Sequence, residues 1–426
     1  MWSEWRPRRI LSRPSAANAA SGKLRWVKFT VIATCAGLVL VALFANFLWV
    51  SSYRALLPKW PGSSVSFSGP ASGSSASSIE NKKNVYSFLE ESSVYLDWEE
   101  MAPAPVDRLD GAAIQIGNLF YVFAGYQNIN EVHSHVDIYD LSENKWGDRF
   151  DMPQDMAHSH LGMASDGRYI YIVTGQYGPQ CRGPTAKNFV LDTKTRRWSK
   201  LPPLPNPRYA PATQLWRGRL HVMGGSKEDR WQPALEHWSL AVKDGKALET
   251  EWKPELPIPR GGPHRACIVV EDRLYVIGGQ EGDFKAKPGS PIFKCSRQKE
   301  VVYSDVYMLE GEAKEWKILP PMPKPDSHIE FAWALVNDSI VIVGGTTEKN
   351  PVTKRMVLVG EVFDFNLKTQ KWRTLGRMPI RIKTTLVAFW DGWLYFTSGQ
   401  RDKGPNDPSP KKVIGKTWRT KLDLSQ

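Results

Sequence analysis

His158 and His160 stand two apart in an extended-looking segment, so both imidazoles leave one face, and His133 with His135 repeats the spacing. Paired imidazoles begin a zinc or copper site, which needs three or four converging ligands. No HExxH stretch and no closely paired cysteines supply the rest, so neither a metal nor another cofactor is expected. Motifs for a nucleophile elbow or a phosphate loop are also missing. What remains is a set of arginines with scattered acids, among them Arg108, Arg208, Arg260, Arg381, Arg401 and Glu330. A guanidinium fork matches the oxygens of carboxylate, sulfate or phosphate, so their chemistry is anion recognition, provided the fold gathers them.

Three cysteines, Cys181, Cys267 and Cys295, lie outside the long apolar run that holds Cys35. An oxidising compartment would allow one disulfide and leave one thiol. Cys267 with Cys295 is the favoured pair, because the two flank a hairpin and a long insertion over 281–300 that such a bond would pin; two free thiols are the alternative. Asn337-Asp338-Ser339 is the one glycosylation sequon, placed in a hairpin turn.

The elements that would position these groups begin with the charge. Of the net +12, a surplus of +8 sits before residue 60, where nine basic residues face Glu4 alone. A charge confined to one end argues against a nucleic-acid partner, which requires basic groups gathered on a folded surface. Next to it, residues 29–50 read FTVIATCAGLVLVALFANFLWV without a charge, long enough to span about 30 Å of hydrocarbon as a helix. A cleaved signal would be shorter and would end in small residues, whereas this run ends in Phe47, Leu48 and Trp49. Seven basic residues precede it, so residues 1–28 are expected in the cytosol and everything beyond in a lumen or outside the cell. Residues 51–92 contain a Ser/Gly/Pro tract with too little apolar surface to order itself, and are expected to form a stem. The layout is that of a single-pass type II membrane protein, as found among Golgi residents.

After Ser93 the sequence repeats itself. Six segments, IQIGNLFYVFAG, MASDGRYIYIVTG, QLWRGRLHVMGG, VVEDRLYVIGG, LVNDSIVIVGG and AFWDGWLYFTSG, each read as two apolar strands around a polar turn and end in a small residue plus Gly. A third strand follows, as in VDIYDL or EVFDFN, then a Trp (Trp146, Trp198, Trp252, Trp316, Trp372) and a Pro-rich passage such as LPPMPKP. The units fall at about 99–146, 147–198, 199–252, 253–316, 317–372 and 373–426. Paired Gly, aromatic-Asp and Trp before a Met-Pro turn resemble the kelch family, over about three quarters of the chain. The expected fold is therefore all-β, a six-bladed kelch-type β-propeller behind one transmembrane helix and a disordered stem. The last unit lacks an outer strand, and the segment from Ser93 through Trp98, itself followed by a Met-Pro turn, is expected to close that blade.

The resemblance implies that the loops before each first strand and after each Gly pair surround one channel mouth. Here these bring Arg108, Tyr126, His158, His160, Tyr177, Arg208, Tyr209, Arg260, His264, His328, Glu330, Arg381 and Arg401 together as candidate ligand-binding residues, in a funnel expected to be net basic. Gln127, Gln176, Ser226, Gln280, Thr346, Lys383 and Gln400 occupy related positions. Among kelch enzymes, galactose oxidase joins a tyrosine to a cysteine near copper, and no cysteine here has such a context. Bacterial sialic acid epimerases of the kelch type use acid–base and arginine groups, as which Glu330, His328 and the arginines could serve. The whole resembles the membrane-anchored kelch proteins of plants. The expectation is a binding module of the secretory pathway, for an acidic carbohydrate or a partner protein; the alternative is an epimerase-like, carbohydrate-modifying enzyme. A cytosolic scaffold would resemble other kelch proteins whose BTB or F-box segments are absent here.

Overall fold

The computed structural model describes residues 95–128, 130–179, 182–286, 296–297, 299–402 and 411–424. The tail, the apolar run, the stem, Cys181 and Cys295 lie outside them. Among the described residues no helix is long and apolar enough to cross a membrane.

Short runs of alternating apolar and polar residues fold as strands, and here they form six antiparallel sheets of four or five strands among the described residues. The first sheet is Ala112–Ile116, Leu119–Phe123, His135–Asp140 and Lys145–Asp151, in that spatial order. The others start with Gly162–Ser165, Ala212–Trp216, Ala266–Val270, Trp333–Val336 and Leu386–Trp390 and run up and down to an outer edge. Tight turns set the register. Arg217-Gly218, Glu271-Asp272 and Asp391-Gly392 hold both residues at positive φ, the turn whose twist matches paired strands.

A single sheet cannot hide both faces, and the cores lie between neighbours. Phe123 and Val136 of the first sheet meet Ile172 and Leu191 of the second. Tyr171 and Val190 of the second meet Leu220 and Leu240 of the third. Met223 of the third meets Leu274 and Val276 of the fourth. One large cluster joins the fourth, fifth and sixth sheets, and Leu386 and Tyr395 of the sixth pack on Val122 and Tyr139 of the first. The succession of interfaces returns to its start, the arrangement of a β-propeller. First strands from all six sheets line a central cavity of about 560 Å³.

The sixth sheet takes its outer strand from Trp98–Met101, antiparallel to Thr417–Lys421 with Trp98 opposite Thr420. Trp98 meets Phe396 edge-on at 4.9 Å, and its indole N–H donates to the Arg377 carbonyl at 2.9 Å. Trp146, Trp252 and Trp372 each donate likewise, at 3.0 Å, to the carbonyls of Ala102, Pro202 and Pro320, which directly follow the outer strand of the preceding sheet. The recurring Trp is thus both filler and tie between neighbours.

Candidate functional site

Backbone geometry builds the site. Asp110, His160, Ala210, His264, His328 and Thr384, each two residues or more before a first strand, all have positive φ. Their amides connect sheet to sheet: His160 N–H donates to Asp110 O, Ala210 N–H to His160 O, His264 N–H to Ala210 O and Thr384 N–H to His328 O, each at 3.2 Å. Outside this ring the Gly pairs make a second one. The Gly125 amide donates to His158 O at 2.8 Å, Gly279 to Asp326 O at 2.8 Å and Gly399 of the sixth sheet to Arg108 O of the first at 2.7 Å. Glycine is required there. A Cβ on Gly125, at φ 94°, would sit 2.9 Å from the Leu109 carbonyl, and one on Gly399 would sit 2.5 Å from that of Lys383.

The inner ring brings Tyr126, His160, Tyr209, His264, His328 and Glu330 together. Tyr209 is the hub. Its hydroxyl lies 2.6 Å from His160 Nε2, donates to Asp283 Oδ2 at 2.8 Å and accepts from Arg230 Nη2 at 2.7 Å, with the guanidinium over its ring at 4.3 Å. His160 Nε2 is also 3.2 Å from Asp110 Oδ2. His264 Nδ1–H donates to Glu330 Oε1 at 2.9 Å, while its ring stacks on His328 at 4.0 Å. Tyr126 accepts from Ser159 Oγ at 2.9 Å and from the Gln176 amide.

Charge inside the cluster follows from burial and neighbours. Burial alone would lower His264, but Glu330 and Asp283 outweigh it and hold the imidazole up at about 9. Burial would raise Asp110, but His160, Lys383 and His264 hold it down at about 2. His328 is pushed well below its ordinary value by burial and by the adjacent His264. Three carboxylates, Asp110, Asp283 and Glu330, thus face Arg230, His264 and Lys383. The centre is charge-balanced rather than net basic, because buried cations demand partners.

The other candidates are placed elsewhere. Arg108 is fully buried and pairs with Asp137, which Arg149 also contacts at 2.7 Å. Arg208 pairs with Glu236 at 3.0 Å and stacks on Trp238 at 4.4 Å; Arg260 pairs with Asp305 at 3.1 Å and stacks on Tyr303 at 3.7 Å. These arginines hold the sheets. His158 Nε2 contacts the Pro153 carbonyl at 3.1 Å. Tyr177 is an exposed loop residue. Arg381 and Arg401 line a separate groove of about 350 Å³ with Arg377, Glu361, Asp402 and Tyr95. His133 and His135 stack at 5.2 Å but spend themselves on the Asp107 carbonyl and Asp151, and no metal-holding cluster occurs among the described residues. Cys267 is a buried free thiol; Asn337 is exposed in its turn.

Asp110, Arg230 and Asp283 are functional neighbours that motif reading misses. Asp110 occupies the ring position of His160 in its own unit, a signal available from aligning the units. Arg230 and Asp283 come from loops several residues beyond Gly225 and Gly279, where no repeat pattern points inward.

One unit is longer than the others. From the ring residue to the last paired residue before the turn is six positions in Asp110–Ile116, Ala210–Trp216, His264–Val270 and Thr384–Trp390 and five in His160–Ser165, but eight in His328–Val336. The extra pair is Glu330-Phe331. Glu330 is carried to His264, and Phe331 crosses to pack on clusters belonging to the first, second and sixth sheets. Both residues line the central cavity.

A family model described as the KLHDC2/KLHL20/DRC7 Kelch-repeats domain matches residues 110–345. A kelch repeat-containing protein of Arabidopsis thaliana is 65% identical over 327 residues, 77% of this chain and 76% of that protein. A leucine-zipper-like transcriptional regulator 1 homolog of Drosophila melanogaster is 26% identical over 64% of this chain and 29% of its own length. Kelch-like protein 23 of Homo sapiens is 22% identical over 66% and 43%; the match thus spans less than half of the fly and human proteins. The solved structure of YjhT superposes with a TM-score of 0.58 at 15% identity over 76% of this chain and 98% of that one, a likeness of fold alone.

Proposed function

The chain belongs to the kelch-repeat family, and on that premise we propose that it is a membrane-anchored interaction module whose six sheets are the blades of one propeller. The anchor is the apolar run over 29–50, the orientation type II, and the propeller faces the lumen of the Golgi or another endomembrane. The partner is a protein or an acidic glycan. The supporting observation is the groove between the fifth and sixth sheets, where Arg377, Arg381 and Arg401 outnumber Glu361 and Asp402 beside the 71% exposed Tyr95. Glu361 is already paired with Lys324 at 2.6 Å, which adds to the cationic surplus. An aromatic face with several guanidinium forks suits a carboxylate or sulfate on an extended ligand.

The test titrates the full chain with sulfated and uronic-acid oligosaccharides and with acidic peptides. Binding should weaken with salt and fall about tenfold or more in an R381A/R401A double variant. Equal affinity of the double variant for every acidic probe would sink the reading. Protease protection on sealed vesicles tests the orientation, with digestion of the propeller from outside as the adverse result.

A second reading, a carbohydrate-modifying enzyme of the epimerase kind, draws on one observation: His264 stands between Glu330 and Asp283 next to Tyr209, groups suited to proton transfer. Those groups are buried and largely bonded to each other, which favours the first reading. Chemical change of a bound sugar during the titration would reverse the order.

A further inference from the structure

The central cavity is a blind chamber rather than a through passage. At the Gly-pair end the interlocked histidines, Tyr209 and Arg230 fill the axis, each of them buried. At the other end the lining reaches Gly117, Ser165, Leu335 and Trp390, which stand at the turns between first and second strands, and Leu335 is 37% exposed. Entry is therefore from the turn face, opposite the loops that carry the arginine groove.

Four buried polar atoms of lining residues have unspent bonding capacity: two are nitrogens of Arg265, whose guanidinium lies over the rings of Tyr303 and Tyr307, residues that are not part of the lining, and two are side-chain oxygens of Glu330 and Thr213. The Glu330 side chain is only 9% exposed and Oε2 has no hydrogen-bond partner, although Oε1 is taken by His264. Thr213, 7% exposed, has an Oγ1 without a partner, lying against Gly162 of the neighbouring sheet. A buried polar atom left unbonded is costly, and a native fold that keeps two of them on one cavity calls for an occupant. The walls add Phe331, Trp333, Phe389 and Trp390.

The character of the occupant follows from these groups. Glu330 can only accept there, and the Thr213 hydroxyl can donate or accept, so the complementary group is a hydroxyl. Net charge is unwelcome, because Glu330 is already balanced by His264 and any added ion would be desolvated without a counter-charge. Apolar walls with a few fixed polar groups in roughly 300 to 1,000 Å³ are the usual form of a small-molecule site. We infer that the chamber between Glu330-Phe331 and the turn face is a binding site for a neutral, hydroxyl-rich ring, an uncharged saccharide or the uncharged end of a glycan. The inference does not depend on the acidic-ligand groove.

The experiment titrates neutral methyl glycosides and disaccharides into the full chain while following tryptophan fluorescence, with glucuronate and a lysine ester as charged probes of each sign. A neutral saccharide should perturb the fluorescence through Trp333 and Trp390 at millimolar concentration. Thr213→Val should weaken it about tenfold. Leu335→Trp, at the exposed entrance and away from the buried centre, should abolish it with an unchanged melting temperature. R381A/R401A should leave it intact, which separates this site from the groove. The inference is overturned if no neutral saccharide binds, if binding survives Leu335→Trp, or if the charged probes bind in preference.

Discussion

His264 is the residue whose environment sets a pH limit. Its pKa is about 9 in the folded chain against an ordinary 6.5, so the stability it contributes is complete below about 6.5 and is lost as the pH rises through 9. Glu330→Gln removes the bonded carboxylate and should bring the imidazole midpoint down, measured by NMR titration. The same variant leaves buried charge uncompensated and should cost roughly 3 kcal/mol or more in denaturant unfolding at neutral pH. His133 and His221 act in the opposite sense. Burial, with Arg108 beside His133 and His237 beside His221, holds them down at about 4 and about 3. Their contribution is complete above about 6.5 and is lost as the pH falls toward those values. A melting-temperature profile should therefore peak at about pH 6.5 to 7 and fall on both sides, through the two buried neutral imidazoles toward acid and through His264 toward pH 9, and a maximum near pH 5 or pH 9 would contradict these assignments. At this scale the sequence was partly legible. Six of the thirteen named residues meet at the centre, because their place next to the strand ends is fixed by the repeat. The paired setting of Arg108 and Arg208 was not legible, since nothing in a linear pattern distinguishes a guanidinium at a rim from one wedged between sheets against Asp137 or Glu236.

Strands and turns carry predictions of their own. Gly125→Ala places a Cβ 2.9 Å from a neighbouring carbonyl at φ 94°, and should destabilise by about 1 to 3 kcal/mol. Gly117→Ala, at φ 57° in open space, should cost about 1 kcal/mol. Equal losses in chemical denaturation would remove the argument that the Gly pairs exist for close approach. Trp98→Ala gives up the ring contact with Phe396 and the bond to Arg377, and should cost roughly 2 to 4 kcal/mol by calorimetry. The hairpins were readable from alternation and Gly, since each is a local pattern. The two-residue expansion at Glu330-Phe331 was hidden because its meaning depends on counting between a backbone conformation and a strand end, neither of which is written in residue types.

At the scale of the molecule, the kelch fold was legible because repetition survives where single motifs do not. The successive cores joining each sheet to the next, with Leu386 and Tyr395 on Val122 and Tyr139, should make the described region unfold in one step. Circular dichroism and tryptophan fluorescence should give coincident transitions, and separate midpoints would show that the interfaces act independently. Removing residues 93–100 should lower the melting temperature sharply by leaving the Thr417–Lys421 edge unpaired. A deletion that melts like the parent would show that this pairing contributes little.

That same pairing sets an order of events during biosynthesis. Glu99 meets Arg419 across 320 positions of chain. A ribosome adding about 5 to 20 residues per second needs roughly 15 to 60 s to cover that distance. The strand that emerges first must therefore wait, unmatched and open to stray pairing, until the final strand appears. A holdase that shields Trp98 during this interval should raise the yield of sealed protein.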